Sequence, residues 1–281
     1  MKRTKIIIAG LAFALLGQLF ADISLPQPDK QSKMSLMTAL SNRKTSRDFS
    51  KNSALSREKL STLLWAANGI NRKDGRRTAP TGRNVQDIKI YVMLKDGIYI
   101  YDAEDNELDE VKRGDFTKYA GKQDFASDAA ATLFFVHDAS KAMKTNSEAD
   151  AMRYAGIHTG AIMQNVYLFA AQENLSCVAR AMIDYDALKD VLSLDGDERV
   201  ILAQSVGYPA AERSLTRDEA IEKALRHAGV DTSKKPKVKC ELDMEDGIKI
   251  YEIEFDYGKF EYDYDIAVDT GFILKSEKST R

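Results

Sequence analysis

From Val238 to Val268 apolar and charged residues alternate almost without a break. Val238, Cys240 and Leu242 alternate with charged residues up to an Asp246-Gly247 turn. Tyr251, Ile253, Phe255 and Tyr257 alternate with acidic residues up to Gly258. Phe260, Tyr262, Tyr264, Ile266 and Val268 then alternate with Lys259, Glu261, Asp263 and Asp265. A two-residue period sends successive side chains to opposite faces, so each segment is a strand with one apolar and one wet face. An antiparallel sheet of that kind needs one layer of cover. The cover stands just upstream. Thr216 and Glu219 form a capping box, Ala220, Ile221, Ala224, Leu225 and Ala228 make one apolar helix face, and Gly229 stops the helix. Asp269-Thr270-Gly271 is a further turn before Phe272-Ile273-Leu274. Residues 214–281 are therefore expected to form a small helix-on-sheet domain. Its aromatic stripe reads as core and its acidic rows as a solvated face. Twelve basic and sixteen acidic residues give it a net charge of −4, with no cluster of metal-ligand types.

Residues 35–213 have a different texture, with helices and strands interspersed, which predicts an α+β domain. Leu60, Leu63, Leu64 and Ala67 follow the N-cap Ser56 at helical spacing. Ile88, Ile90 and Val92, then Gly97, then Ile98 to Tyr101, read as strand, turn and strand. Ala129–Val136 and Val200–Val206 are continuous apolar runs, hence buried strands. Ala151–Asn174 reads as one long helix, in which Gly156 and Gly160 would let another backbone approach.

At the amino terminus, Lys2, Arg3 and Lys5 precede an apolar run from Ile6 to Phe20 that ends at Ala21. That is the pattern of a secretory signal peptide over residues 1–21, and about 15 apolar residues fall short of a bilayer span. Cleavage would place the mature chain outside the cytoplasm, periplasmic or secreted, with no membrane span. Residues 22–34, with Pro26 and Pro28, suit a linker or draped arm. Lys+Arg is 41 and Asp+Glu is 43, a net charge of −2. Loss of Lys2, Arg3 and Lys5 removes three positive charges and takes it to −5. Such a balance gives no electrostatic case for nucleic acid. Two cysteines exclude a disulfide-dense scaffold and a four-cysteine zinc site, and three histidines leave little room for a histidine-rich metal centre. Cys177 and Cys240 fall in different domains, and Cys177 reads as a small buried residue.

Four segments carry residue types suited to chemistry. Arg43-Lys44-Thr45-Ser46-Arg47-Asp48-Phe49 puts three cations and two hydroxyls within five residues, a set that can hold a phosphate. Ala79-Pro80-Thr81-Gly82-Arg83-Asn84-Val85-Gln86 is a loop rich in hydrogen-bonding side chains. The third runs from Gly156 along the long helix to Ser176-Cys177-Val178-Ala179-Arg180. The fourth is Gly207-Tyr208-Pro209, then Arg213. Each is weak alone, and a solvated turn or an ordinary loop explains any one of them.

In this order and spacing the four resemble the nitroreductase-like FMN oxidoreductases, and within them the branch of SagB-type azoline dehydrogenases. The resemblance runs from about Leu40 to Arg213, with Thr81 where that family carries Ser. It implies an α+β fold with a mixed central sheet flanked by helices. It also implies a homodimer that holds FMN at the subunit interface. By matching motifs, Arg43, Lys44, Thr45, Arg47 and Arg213 would hold the phosphate or ribityl chain. Pro80, Thr81 and Asn84 would contact the flavin ring. Val178, Ala179 and Arg180 would run past the flavin N5 edge, with the Arg180 amide donating to N5. A hydride would pass through N5 from NAD(P)H or another donor to a small organic acceptor, with no protein nucleophile and no metal. The Lys-Tyr pair of the azoline dehydrogenases meets Arg153-Tyr154 here, and arginine stays protonated, which puts azoline oxidation of a peptide in doubt. Tyr154 and His158 are the side chains that could stand near the flavin, although a packing histidine is the plainer expectation. The tail resembles a PepSY domain over Leu215–Lys275, which implies an extracytoplasmic inhibitory or protein-binding role. A non-catalytic binding protein built on a degenerate flavin fold is the competing expectation.

Overall fold

The computed structural model describes residues 22–31, 34–145, 147–210, 214–231, 236–245 and 248–281. The signal-like segment 1–21, Arg213 and the Asp246-Gly247 turn lie outside the described residues.

One sheet organises the larger part of the chain. Its strands are β1 (Ile23–Ser24), β2 (Ile88–Leu94), β3 (Gly97–Asp102), β4 (Glu107–Arg113), β5 (Ala131–Asp138), β6 (Ser176–Arg180) and β7 (Glu198–Gly207). They lie in the order β1-β4-β3-β2-β5-β7-β6, and all the described pairings are antiparallel, where the resemblance implies a mixed sheet. β5 explains its own unbroken apolar run, because both of its faces are covered. Leu133 and Phe135 pack with Leu60, Leu63 and Leu64 of α2 (Arg57–Asn68) and with Ile162 and Val166 of α3 (Glu148–Gln172). Phe134 and Val136 face the other way, toward Leu188 of α4 (Tyr185–Val191) and Leu192. Ser56 caps α2 by accepting from the Lys59 amide.

The arm of residues 22–31 is tied down. Ile23 pairs with Leu108, and the Asn106 amide donates to the carbonyls of Leu25 and Pro26. Among the described residues no helix is long and apolar enough to cross a membrane.

Gly207 shows why its motif needs glycine. A Cβ there would sit 2.8 Å from the Ala130 amide nitrogen and 3.1 Å from the buried Phe49 ring, so backbone and ring would both have to shift to admit it. Gly207→Ala is expected to destabilise the chain by about 1–3 kcal/mol, the range for overpacking, measured by urea denaturation.

The tail forms a second sheet of four strands in the order β11-β10-β9-β8. These are β8 (Val238–Glu245), β9 (Ile248–Tyr257), β10 (Phe260–Ala267) and β11 (Ile273–Thr280). Helix α5 (Arg217–His227) lies over them. Its capping box at Thr216 and Glu219 is present, and Gly229 follows at φ 68°. The alternation delivers the core it predicts: Ile253, Phe255, Tyr262, Tyr264 and Ile266 close on Ala220, Ala224 and Leu225. Phe255 stacks on both Tyr262 and Tyr264. β11 extends past Leu274 through six polar residues. An edge strand with little to bury leaves no apolar pattern to read.

Asp265 departs from the expectation of a solvated acidic face. It is buried, and in register it pairs with Glu252 on one side and Lys275 on the other. Burial pushes its carboxyl up to about 6, Asp263, Glu245 and Glu252 add to the rise, and Lys275 opposes it. A carboxyl that binds its proton more tightly folded than unfolded stabilises the fold below the unfolded value, and that contribution is lost as pH rises through about 6. The tail should therefore gain stability as pH falls from 7 toward 4. Asp265→Asn should flatten that part of the pH profile and raise the melting temperature at pH 7.

Candidate active site

Helix α3 carries the site from two sides. Near its end, the Tyr167 hydroxyl lies 3.2 Å from the Thr45 hydroxyl and accepts from the Ala179 amide at 2.9 Å. The Arg43 guanidinium lies over the Tyr167 ring, 5.6 Å from its centre. Ser46 ties the same segment to β6: its amide donates to the Cys177 carbonyl at 3.0 Å, and its hydroxyl lies 2.9 Å from that of Ser176. Tail-ward, the Ser50 amide donates to the Tyr208 carbonyl and Phe49 bridges to Pro209. The first, third and fourth motifs thus share one neighbourhood, centred on a tyrosine that none of them contains. Arg43, Lys44 and Arg47 have no ion pair with a described carboxylate.

Lys44 is turned away from this group. Its ammonium lies 5.2 Å from the Phe272 ring in the tail. An extended segment sends neighbours to opposite sides, which separates Lys44 from Arg43 and Thr45.

Arg180 also points elsewhere. It is buried, and its guanidinium donates to the Ala120 carbonyl at 2.9 Å and to the Ser205 hydroxyl at 2.6 Å. Its Nε has no partner, and burial pushes the group down to about 10. A Cβ on Gly121 would fall 1.8 Å from its Nη1, so Gly121 is the space the guanidinium occupies. The backbone groups of Cys177 and Ala179 face outward, toward Ser46 and Tyr167. By the strand period, those of Ser176, Val178 and Arg180 face β7. The Arg180 amide is therefore directed into the sheet. The next residues, Ala181 and Met182, are exposed.

The second side of α3 holds the 79–86 loop. The Gly82 amide donates to His158 Nε2 at 2.8 Å, and His158 Nδ1 lies 2.7 Å from Asp87 Oδ1. A ring that accepts at Nε2 carries its proton on Nδ1, so His158 donates to Asp87. His158, Asp87 and the neighbouring His137 are all buried. His158 is a strut for the loop, and Tyr154 packs against it with ring centres 6.2 Å apart. Within the loop, Arg83, Asn84 and Gln86 adopt φ of 51°, 58° and 51°, the left-handed region that side chains with a Cβ avoid. Thr81 holds the turn by accepting from the Gln86 amide at 3.1 Å. Pro80 and Asn84 are exposed.

The two groups do not meet within one chain. His158 and Tyr167 are nine residues apart, which is about 13.5 Å along a helix and two and a half turns, on opposite sides. Arg43, Thr45, Val178 and Ala179 gather at one position, and Pro80, Thr81 and Asn84 at the other.

Gly156 and Gly160 have nothing within 4 Å of a built Cβ. Ile157 between them is 59% exposed, and Leu36, Met37 and Leu40 of α1 (Leu36–Asn42), which packs on α3, are also exposed. The approach these glycines permit is open in the single chain.

Both cysteines are free. Cys177 is buried, which pushes its thiol up to about 12, and Cys240 is half-buried. Among the described residues no group of three or more His, Cys, Asp or Glu is arranged to hold a metal. Two functional side chains escaped sequence reasoning. Asp87 directly follows the loop motif but reads as the start of a strand. Tyr167 lies in an apolar helical stretch that offers no motif.

Comparison with known proteins bears on the family and the fold. A protein of Methanocaldococcus jannaschii assigned as a nitroreductase is 26% identical over 196 residues, which cover 66% of this chain and 96% of the relative. The crystal structure of a nitroreductase-assigned protein from Ralstonia eutropha superposes with a TM-score of 0.64 at 35% identity. That match covers 68% of this chain and 90% of the other. A chain of the E. coli microcin synthetase complex shares the fold at a TM-score of 0.52 and 18% identity, covering 73% of this chain and 84% of that one. The sequence pattern of the nitroreductase family matches residues 40–208. The chain belongs to the nitroreductase family.

Proposed function

We propose that this protein is an exported FMN-dependent oxidoreductase of the nitroreductase type. The observation that carries the reading is the donor set around Tyr167. Arg43 beside the ring offers fixed charge with no described carboxylate to neutralise it, Thr45 adds a hydroxyl, and the exposed Arg47 follows two residues later in the same segment. Guanidiniums bind phosphate through paired charge-assisted bonds. The set fits an FMN phosphate, and Arg213 would join it by its motif.

When bound, FMN supplies hydride transfer at N5 between a donor and a small organic acceptor. The chain's own residues bind and orient. Tyr167 fixes Thr45 and the Ala179 amide. The exposed residues Ala181 and Met182, whose carbonyls are already engaged, leave their amides as candidates for the N5 edge in place of the Arg180 amide. His158 and Asp87 hold Gly82, which keeps Pro80, Thr81 and Asn84 presented at the surface.

The separation of the two groups along α3 supports a homodimer in which each chain completes the other's site. The exposed Ile157, Leu36 and Met37, with the open glycines between, are the surface for that contact. The signal-like segment supports export and a periplasmic or secreted location. The PepSY-like tail supports a protein partner or an inhibitory role there. NAD(P)H is scarce outside the cytoplasm, so a protein or another small molecule also qualifies as the donor.

The SagB-like branch supports azoline oxidation as the second reading. Arg153 speaks against it, being exposed, paired with Asp150 at 2.8 Å and permanently charged. Addition of NADH or NADPH without oxygen to the FMN-loaded protein tests the reading. Bleaching of the flavin band is expected for a pyridine-nucleotide enzyme. A band that no dithionite-independent donor bleaches, neither NAD(P)H nor reduced quinone nor a thiol protein, would contradict it.

A further inference from the structure

A cavity of about 310 Å3 lies at the seam between the two sheets' domains. Lys44 and Asn42 line it from the larger domain, and Lys223, Arg226, His227 and Phe272 from the tail. Among the described residues no carboxylate lines it. In a chain of net charge −2, whose tail carries −4, three basic side chains and a histidine converge on one half-open space.

Several contacts build this arrangement. Lys223 is half-buried and its ammonium donates to the Gly271 carbonyl. Asn42 donates to the Ile273 carbonyl at 2.7 Å, and the Thr38 hydroxyl lies 3.2 Å from that of Ser276. These bonds hold α1 against β11 and so fix Lys44 opposite α5. Burial lowers the affinity of the Lys223 ammonium for its proton, and Lys44 and Arg226 lower it further. The cluster is self-repelling. Basic residues in the last turn of α5 are favoured by the helix dipole, which accounts for Arg226 and His227. It does not account for Lys44, which comes from another domain. Glu222 neutralises Arg226 alone.

We infer that this seam is a binding site for a compact, multiply charged anion, the phosphate or dicarboxylate group of a small molecule, which bridges the two domains. An anion here relieves the repulsion among Lys44, Lys223 and Arg226 and ties the tail to the 43–47 segment. The site is separate from the proposed flavin site, because Arg43 and Thr45 reach Tyr167 while Lys44 reaches Phe272. It does not depend on the flavin reading.

The test is calorimetric titration of the purified full chain, with and without FMN, using inorganic phosphate and, separately, malonate. Saturable binding of either is expected, and whichever binds more tightly identifies the group the site takes. Lys223→Gln and Arg226→Gln should each weaken that binding roughly tenfold or more, as loss of one charge-assisted bond does. Neither should change the flavin content. Lys44→Gln should weaken it similarly from the opposite domain, which a locally misfolded tail would not mimic. Binding of neither anion overturns the inference. So does binding that all three variants leave unchanged, and so does phosphate binding that FMN abolishes competitively.

Discussion

His158→Ala is expected to destabilise the chain by about 2–4 kcal/mol, because it strands the buried Asp87 carboxylate and the half-buried Gly82 amide at once. The Gly82 amide loses its acceptor, and the Asp87 carboxylate loses its donor. Asp87 lies 1% exposed, so water cannot replace the ring. The only other histidine near it, His137, stands 3.5 Å away and has no hydrogen-bond partner of its own. The loop it anchors holds three residues at positive φ, which persist only while the surroundings determine them. Release of the loop should therefore follow the mutation. Urea denaturation would read the stability loss, and limited proteolysis between Pro80 and Gln86 would read the loop. His158→Gln offers an acceptor to Gly82 and should recover part of both effects. If His158→Ala unfolds at the wild-type denaturant concentration, the strut does not exist.

The second large effect is on cofactor affinity. Arg43→Ala combined with Arg47→Ala should weaken FMN binding roughly hundredfold or more, since each guanidinium bond to a phosphate contributes about 1.5–3 kcal/mol. Stability should change little, because neither cation is paired with a described carboxylate. Arg43 alone also loses its place over the Tyr167 ring, a contribution of about 0.5–1 kcal/mol at an exposed site. Riboflavin, which lacks the phosphate, separates the two roles: its affinity should be nearly the same in the wild type and the double variant. Equal losses for FMN and riboflavin would mean that the arginines shape the fold and do not hold the phosphate.

What could be read from the chain follows from how each residue's partners are distributed. The tail was legible because its strands alternate and its helix is capped by residues three positions apart, Thr216 and Glu219. β5 was legible as buried because both faces need apolar side chains. β4 was not, since Glu107 to Arg113 is almost wholly charged and its pairing with β3 is set by the sheet. Asp265 was misread for a related reason. Its position in the alternation is on the wet face, but cross-strand Glu252 and Lys275 cover it. In the site, Arg43, Thr45 and Asn84 announced themselves by residue type. Direction was invisible: Lys44 and Arg180 belong to the motifs, yet their side chains serve the seam and the sheet's far layer. His158 read more plainly as a packing residue than as an acid, and its bond to Gly82, 76 residues earlier, shows what it holds.

The central claim is that this chain binds FMN in a site that two copies complete. The direct measurement is FMN titration of the purified protein, followed by visible absorbance, with molecular mass determined by light scattering on the same sample. One FMN per chain on a dimer is the expected result. A dimer or monomer that takes up no FMN would contradict the account, whatever its fold.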